Sequence, residues 1–144
     1  MTMNRYLHQY QNNQVATGKP EQILILLYDG AIRFVYRTAT AISENNVEQK
    51  NLNINKTVAI LSELSATLDH NIGGQIAADL AALYDFMIRE LTAVNLTNDQ
   101  NRLENVRAIL TDLRDTWAQA VKMAQGTNTS MSPAVDQSAG AAQL

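Results

Sequence analysis

The stretch Ile23-Leu24-Ile25-Leu26-Leu27-Tyr28-Asp29-Gly30-Ala31-Ile32-Arg33-Phe34-Val35-Tyr36 decides the fold. Its apolar residues recur at helical rather than alternating spacing, so they share a face only on an α-helix. At about 100° per residue, Leu24, Leu27, Tyr28, Ala31, Val35, Ala39 and Ile42 form one continuous stripe, which is enough for a core-facing helix. Ile25, Ile32 and Tyr36 form a second row about 100° further round. Ile23, Leu26 and Phe34 fill part of a third side. A helix apolar on nearly every side is either central in its domain or keeps surface for a partner.

The punctuation around this stretch sets its limits. Thr17, Gly18 and Pro20 supply a helix start, and Asn45-Asn46 ends the run, so a first helix is expected from about residue 20 to residue 44. A second, from about 48 to 70, places Ile54, Val58, Leu61, Leu64 and Leu68 on one side and ends before Gly73-Gly74. A third, from about 75 to 94, carries Ile76, Leu80, Leu83, Met87, Leu91 and Val94 as its core stripe, with Ala77, Tyr84 and Ile88 as a second row. Thr97, Asn98 and Asp99 are capping residues for a fourth helix running to about residue 124. On that helix Leu103, Val106, Leu110, Leu113, Trp117, Ala120, Val121 and Ala124 lie on one narrow face, and Arg102, Glu104, Arg107, Asp112, Asp115 and Lys122 occupy the rest.

Four helices joined by short polar turns predict an all-α, antiparallel up-down four-helix bundle over residues 20–125. Residues 1–19 are polar and amide-rich, with Tyr6, Leu7, Tyr10 and Val15 as apolar anchors; they are expected to form a short helical N-terminal segment that caps a groove. Residues 126–144 are mostly Thr, Asn, Ser, Gln, Ala and Gly, with Asp136 as the one charge and Pro133 interrupting. They are expected to form a disordered, low-complexity tail, because nothing in them offsets the entropy of ordering.

Composition removes several function classes. The 144 residues, 46% hydrophobic and 17% charged, suit one soluble globular domain. A net charge of −3 and a pI near 5.2 provide no basic stripe, so no nucleic-acid partner is expected. There is no cysteine, which excludes disulfides and thiolate metal sites. The N-terminus lacks an apolar signal region and the longest apolar run is Ile23–Tyr28, so neither a signal peptide nor membrane insertion fits, and a cytoplasmic location is expected.

Catalytic patterns are missing. His8 and His70 are the only histidines, and no Glu-x-x-His pair, phosphate loop, Gly-x-Ser-x-Gly elbow or His-Glu-x-x-His motif occurs. Asp112 and Asp115 flank Arg114 on the polar face, where a solvated charged surface is the simpler reading than a metal site. No enzyme activity, cofactor or metal is therefore expected. One chemical alternative has some sequence support. Leu68-Asp69-His70-Asn71-Ile72-Gly73-Gly74 resembles the signature of histidine phosphotransfer domains, which are four-helix bundles with an exposed phosphoaccepting histidine. That resemblance implies a mid-helix histidine with a basic neighbour. Here Gly73 holds the basic position and the glycine pair ends the helix, leaving His70 as a helix C-terminal residue suited to the dipole.

The surplus apolar rows point instead to a binding module that holds another amphipathic chain. The rows are Ile25, Ile32 and Tyr36 on the first helix and Tyr84 and Ile88 on the third. Tyr10-Gln11, Val15, Thr17, Pro20-Glu21, Leu27-Tyr28-Asp29-Gly30 and Phe34 resemble the N-terminal signature of the flagellin-specific export chaperone family, FliS. The likeness continues through Leu83-Tyr84-Asp85-Phe86-Met87, Leu91, Asn95, Asn98-Asp99 and Leu113-Arg114-Asp115-Thr116-Trp117, covering roughly residues 4–123. What this resemblance implies is a cytoplasmic helical bundle that binds the disordered C-terminal segment of flagellin, prevents premature polymerisation and presents the subunit to a flagellar export gate component. The same resemblance places Leu7 and Tyr10 of the N-terminal segment beside the client groove. With them, Ile25, Ile32, Tyr36, Tyr84 and Ile88 are the candidate flagellin-binding residues. A helical module for another client remains the alternative, and both a monomer and a weak homodimer fit the sequence.

Overall fold

The computed structural model describes residues 20–131, which form four helices: α1 (Pro20–Ser43), α2 (Val47–Ala66), α3 (His70–Thr97) and α4 (Gln100–Met131). The expectations for residues 1–19 and for the tail beyond residue 131 lie outside the described residues. Helices α2, α3 and α4 each begin where the sequence supplies a cap. The Asn46 side chain accepts from the Gln49 N–H, and Asp69 accepts from the N–H groups of Asn71 and Ile72 at 3.0 Å. Asp99 does the same for Asn101 and Arg102 at the start of α4. Two helix ends close on asparagines in the left-handed region, Asn45 (φ 55°) and Asn98 (φ 57°), where asparagine is the usual alternative to glycine. At the first, the Asn46 N–H reaches back to the Ala41 carbonyl and the Asn45 N–H to that of Ile42.

Neighbouring helices in the chain pack against each other, and α4 returns to pack on α1, so α1 and α3 face each other across the bundle. This is the predicted up-down bundle. Its core is filled from every helix: Tyr28, Ala31 and Val35; Ile54, Leu61 and Leu64; Tyr84, Met87, Leu91 and Val94; and Leu103, Val106 and Leu110. Leu24, Leu27, Ala39 and Ile42 pack partly buried around it, so the first stripe of α1 performs as read. Thr38 and Thr57 are also buried, each hydroxyl donating to the carbonyl four residues back. Gly30 is buried in the close approach of α1 to α2: a Cβ there would lie 3.7 Å from Ile60 Cδ1.

Three boundaries differ from the sequence reading. Helix α2 stops at Ala66, and His70 opens α3 instead of ending α2, because Asp69 provides a cap that the sequence reading passed over. The break expected at Gly73-Gly74 is present, but it falls inside α3. Gly74 (φ 52°, ψ −123°) kinks α3 within its first turns. At the far end α4 continues to Met131, so residues 126–131 are helical where a disordered tail was expected. Ile76, read as core, is 72% exposed. Lys50 of α2 lies opposite Asn95 and Asn98 of α3, and the two helices run antiparallel. The level of Ile76 is therefore already beyond the end of α2, which leaves that side of α3 without cover from α2.

Candidate functional site

The second row of α1 acquires its position from a charge between two hydrophobic residues. Asp29 lies in the same row as Ile25, Ile32 and Tyr36, and its Oδ1 accepts from Arg114 Nε of α4 at 2.8 Å. The row therefore faces α4 and lines the outer groove between α1 and α4. Ile25 and Ile32 are half-buried there, and Tyr36 is 56% exposed. A cavity of about 70 Å³ opens beside Tyr36, lined also by Val35, Ala39, Gln100, Leu103, Glu104 and Arg107. Gln100 Nε2 donates to the Ala39 carbonyl at 3.2 Å and closes one end of this groove.

The rim is polar and paired. Arg107 grips Glu104 with two parallel hydrogen bonds, Nε to Oε1 at 2.9 Å and Nη2 to Oε2 at 2.5 Å. That bond holds the Glu104 carboxyl below its usual value, and the Asp29 contact raises the Arg114 guanidinium further. An apolar floor crossed by the Asp29–Arg114 pair and bordered by Glu104–Arg107 suits an amphipathic segment lying along the bundle. It offers no nucleophile or acid–base pair, and no group of three metal-ligating side chains exists among the described residues.

The candidate residues on α3 fall elsewhere. Tyr84 is 2% exposed and belongs to the core, so its place on a surface row is corrected. The buried face of α3 is centred on Tyr84, Met87, Leu91 and Val94, rotated from the stripe that included Ile76. Burial of a tyrosine requires a partner for its hydroxyl, and the Tyr28 hydroxyl provides one. The signal was present, because Tyr84 precedes Met87 and Leu91 by three and seven residues. Leu83-Tyr84-Asp85 also repeats Leu27-Tyr28-Asp29, whose tyrosine was read as core. Ile88 is half-buried but lies on the other side of the bundle. Glu90 marks the flank of α3 that faces α4, since it accepts from Arg102 Nη1 at 2.8 Å. Ile88, two residues earlier, is about 160° round the helix and faces α2.

The structure therefore unites Ile25, Ile32 and Tyr36 and separates Ile88 from them. Leu7 and Tyr10 lie outside the described residues. Sequence reading missed the groove's α4 wall, Leu103, Glu104 and Arg107, because a cleanly amphipathic helix gave no reason to single out its edge. His70 is exposed at the first position of α3, not in mid-helix. No helix among the described residues is long and apolar enough to cross a membrane.

Comparison with known proteins gives a consistent picture. Residues 2–124 match the model of a family described as "Flagellar protein FliS". The chain is 39% identical over 113 residues to the flagellar secretion chaperone FliS of Bacillus subtilis (strain 168), spanning 78% of this chain and 84% of that one. It is 33% identical over 117 residues to the protein of the same name from Campylobacter jejuni, spanning 81% and 91%. The Salmonella typhimurium relative is 35% identical over 106 residues, spanning 73% and 78%. In fold, the chain superimposes on a solved bacterial flagellar chaperone with a TM-score of 0.69 at 20% identity, covering 85% of this chain and 98% of the other.

Proposed function

Because the chain belongs to the FliS family of flagellar secretion chaperones, a family of non-enzymatic chaperones, we propose that its client is flagellin. In this reading it binds the disordered C-terminal segment of newly made flagellin in the cytoplasm, prevents premature polymerisation and assists delivery to the flagellar export gate. The observation that carries the reading is the row Ile25, Ile32 and Tyr36. It is apolar, incompletely covered and aligned along the α1/α4 groove, in a bundle whose core is already filled without Ile25 and Tyr36.

A client helix laid in this groove buries apolar surface between two paired rims, and its own ordering cost offsets part of the gain. The outcome is a specific, releasable complex. Leu7 and Tyr10 of the N-terminal segment join the groove in this proposal. A client that wraps the bundle instead of filling one slot reaches Ile88 on the α2/α3 side. Tyr84 acts as support for the fold and not as a contact. Titration of a flagellin C-terminal peptide by calorimetry with circular dichroism tests the proposal: one-to-one binding with gained helicity supports it, and absence of both overturns it.

A further inference from the structure

The side of α1 away from the groove carries charges of one sign. Arg37 on α1 and Lys56 on α2 stand over the half-buried ring of Phe34, and Arg33 lies one turn of α1 before Arg37. Arg37 Cζ stands 5.8 Å and Lys56 Nζ 5.3 Å from its centroid, both within cation–π range. Arg33 folds back along the same flank, its Nη2 3.7 Å from where a Cβ on Gly30 would be. None of the three has a carboxylate within ion-pair distance among the described residues, whereas Arg89, Arg102, Arg107 and Arg114 all do. In a chain with more acids than bases, overall charge −3, these three bases are left without a carboxylate partner among the described residues. Glu63, two turns along α2 from Lys56, is buried and forms no ion pair with any of the three among the described residues. Leu26 (55% exposed) and Leu52 (43% exposed) add apolar surface to the same flank.

We infer that this α1/α2 face is a second docking surface, distinct from the client groove, for an acidic amphipathic helix of a partner protein. Two like charges held over one aromatic ring, with Arg33 a turn away, repel each other, and a carboxylate-bearing partner relieves that repulsion while burying Leu26 and Leu52. Charge complementarity selects a protein segment over other polyanions. Three cations release too few counterions to hold a nucleic acid or an anionic membrane. A partner helix with spaced acids needs no more than these three. The proposal does not depend on what occupies the α1/α4 groove.

The test uses the full chain, isotopically labelled, and a 20-residue helical peptide with glutamates on one face and leucines on the other. Resonances of Arg33, Phe34, Arg37 and Lys56 are expected to shift, and those of Tyr36 and Arg107 to stay. Raising salt is expected to weaken binding. Reversing all three charges (R33E, R37E, K56E) is expected to weaken it about tenfold, three exposed pairs of modest strength each. A neutralised variant (R33Q, R37Q, K56Q) with a cooperative melt provides the same readout without new repulsion. Shifts confined to the α1/α4 groove, unchanged affinity in both variants, or equal affinity for single-stranded DNA or phosphatidylserine vesicles would overturn the inference.

Discussion

The hydroxyls of Tyr28 and Tyr84 meet at 2.5 Å in the middle of the bundle, joining α1 and α3, which do not pack as neighbours. Both side chains are fully or almost fully buried. Each supplies the partner that the other needs away from water, so the pair is a polar link through an otherwise apolar core. Removing one hydroxyl leaves the other short of a partner. Tyr28→Phe and Tyr84→Phe are each expected to cost about 1–3 kcal/mol, and the double variant less than the sum. Chemical denaturation of the four proteins in the cycle measures the difference; strict additivity would refute the link.

The same pair predicts the alkaline limit of stability. Burial raises both tyrosines above the usual value of 10.0, in Tyr28 against a weaker lowering from its hydrogen bond to Tyr84. In the unfolded chain they ionise near pH 10, whereas in the bundle they keep their protons. Their contribution is therefore fully present below about pH 10 and is lost as pH rises toward the folded values. Denaturant midpoints are expected to be insensitive to these groups up to about pH 9 and to fall above about pH 10. Tyrosinate absorbance should show two residues ionising only as the helical signal collapses.

The glycines divide by conformation. Gly30 is helical and its added Cβ meets neighbours at ordinary contact distance, so Gly30→Ala is expected to stabilise by about 0.5–1 kcal/mol through helix propensity. Gly74 has room around it but a φ of +52°. Gly74→Ala is expected to destabilise by about 1 kcal/mol or straighten the start of α3. Thermal melts read both signs, and a stabilised Gly74→Ala would show that the kink is not maintained in solution.

The groove residues separate binding from folding. Tyr36→Ala is expected to leave the melting temperature nearly unchanged and to weaken a flagellin C-terminal peptide about tenfold, the loss of one aromatic anchor. Tyr84→Ala is expected to cost about 3–5 kcal/mol of stability as a core truncation. Calorimetric titration beside thermal melts distinguishes the two; a Tyr36→Ala protein with full affinity would move the client elsewhere on the bundle.

Much of this was readable because helical period, caps and turn residues agree along α1, α2 and α4. The Leu24, Tyr28, Ala31 and Val35 stripe needed no tertiary information, since the helix has one face that satisfies its burial. The face of α3 was harder. Ile76 and Leu80 continue the period of Met87 and Leu91, and nothing local reveals that α2 ends before reaching Ile76. Tyr84 was ambiguous for a related reason: a tyrosine fits a wet edge or a buried pair, and its partner lies 56 positions away. Ile25, Ile32 and Tyr36 share a groove because Asp29 pairs with Arg114, a long-range contact invisible to a helical wheel. Asp69 was legible as a cap, but the glycine pair that follows drew the helix boundary away from it.

Lys50 reaches from α2 to the Asn95 carbonyl and the Asn98 side chain at 3.1 and 2.9 Å. It thereby fastens the first helical hairpin, α1–α2, to the α3–α4 turn of the second. Gln100 ties α4 to α1 near the same end. The opposite end, by contrast, has the Gly74 kink and the exposed Ile72, Ile76 and Met123. The two hairpins are thus pinned at one end, like the arms of tongs. Spreading of the bundle starts from the Pro20 and His70 end, and amide exchange should quicken along α3 from Val94 toward Ala77.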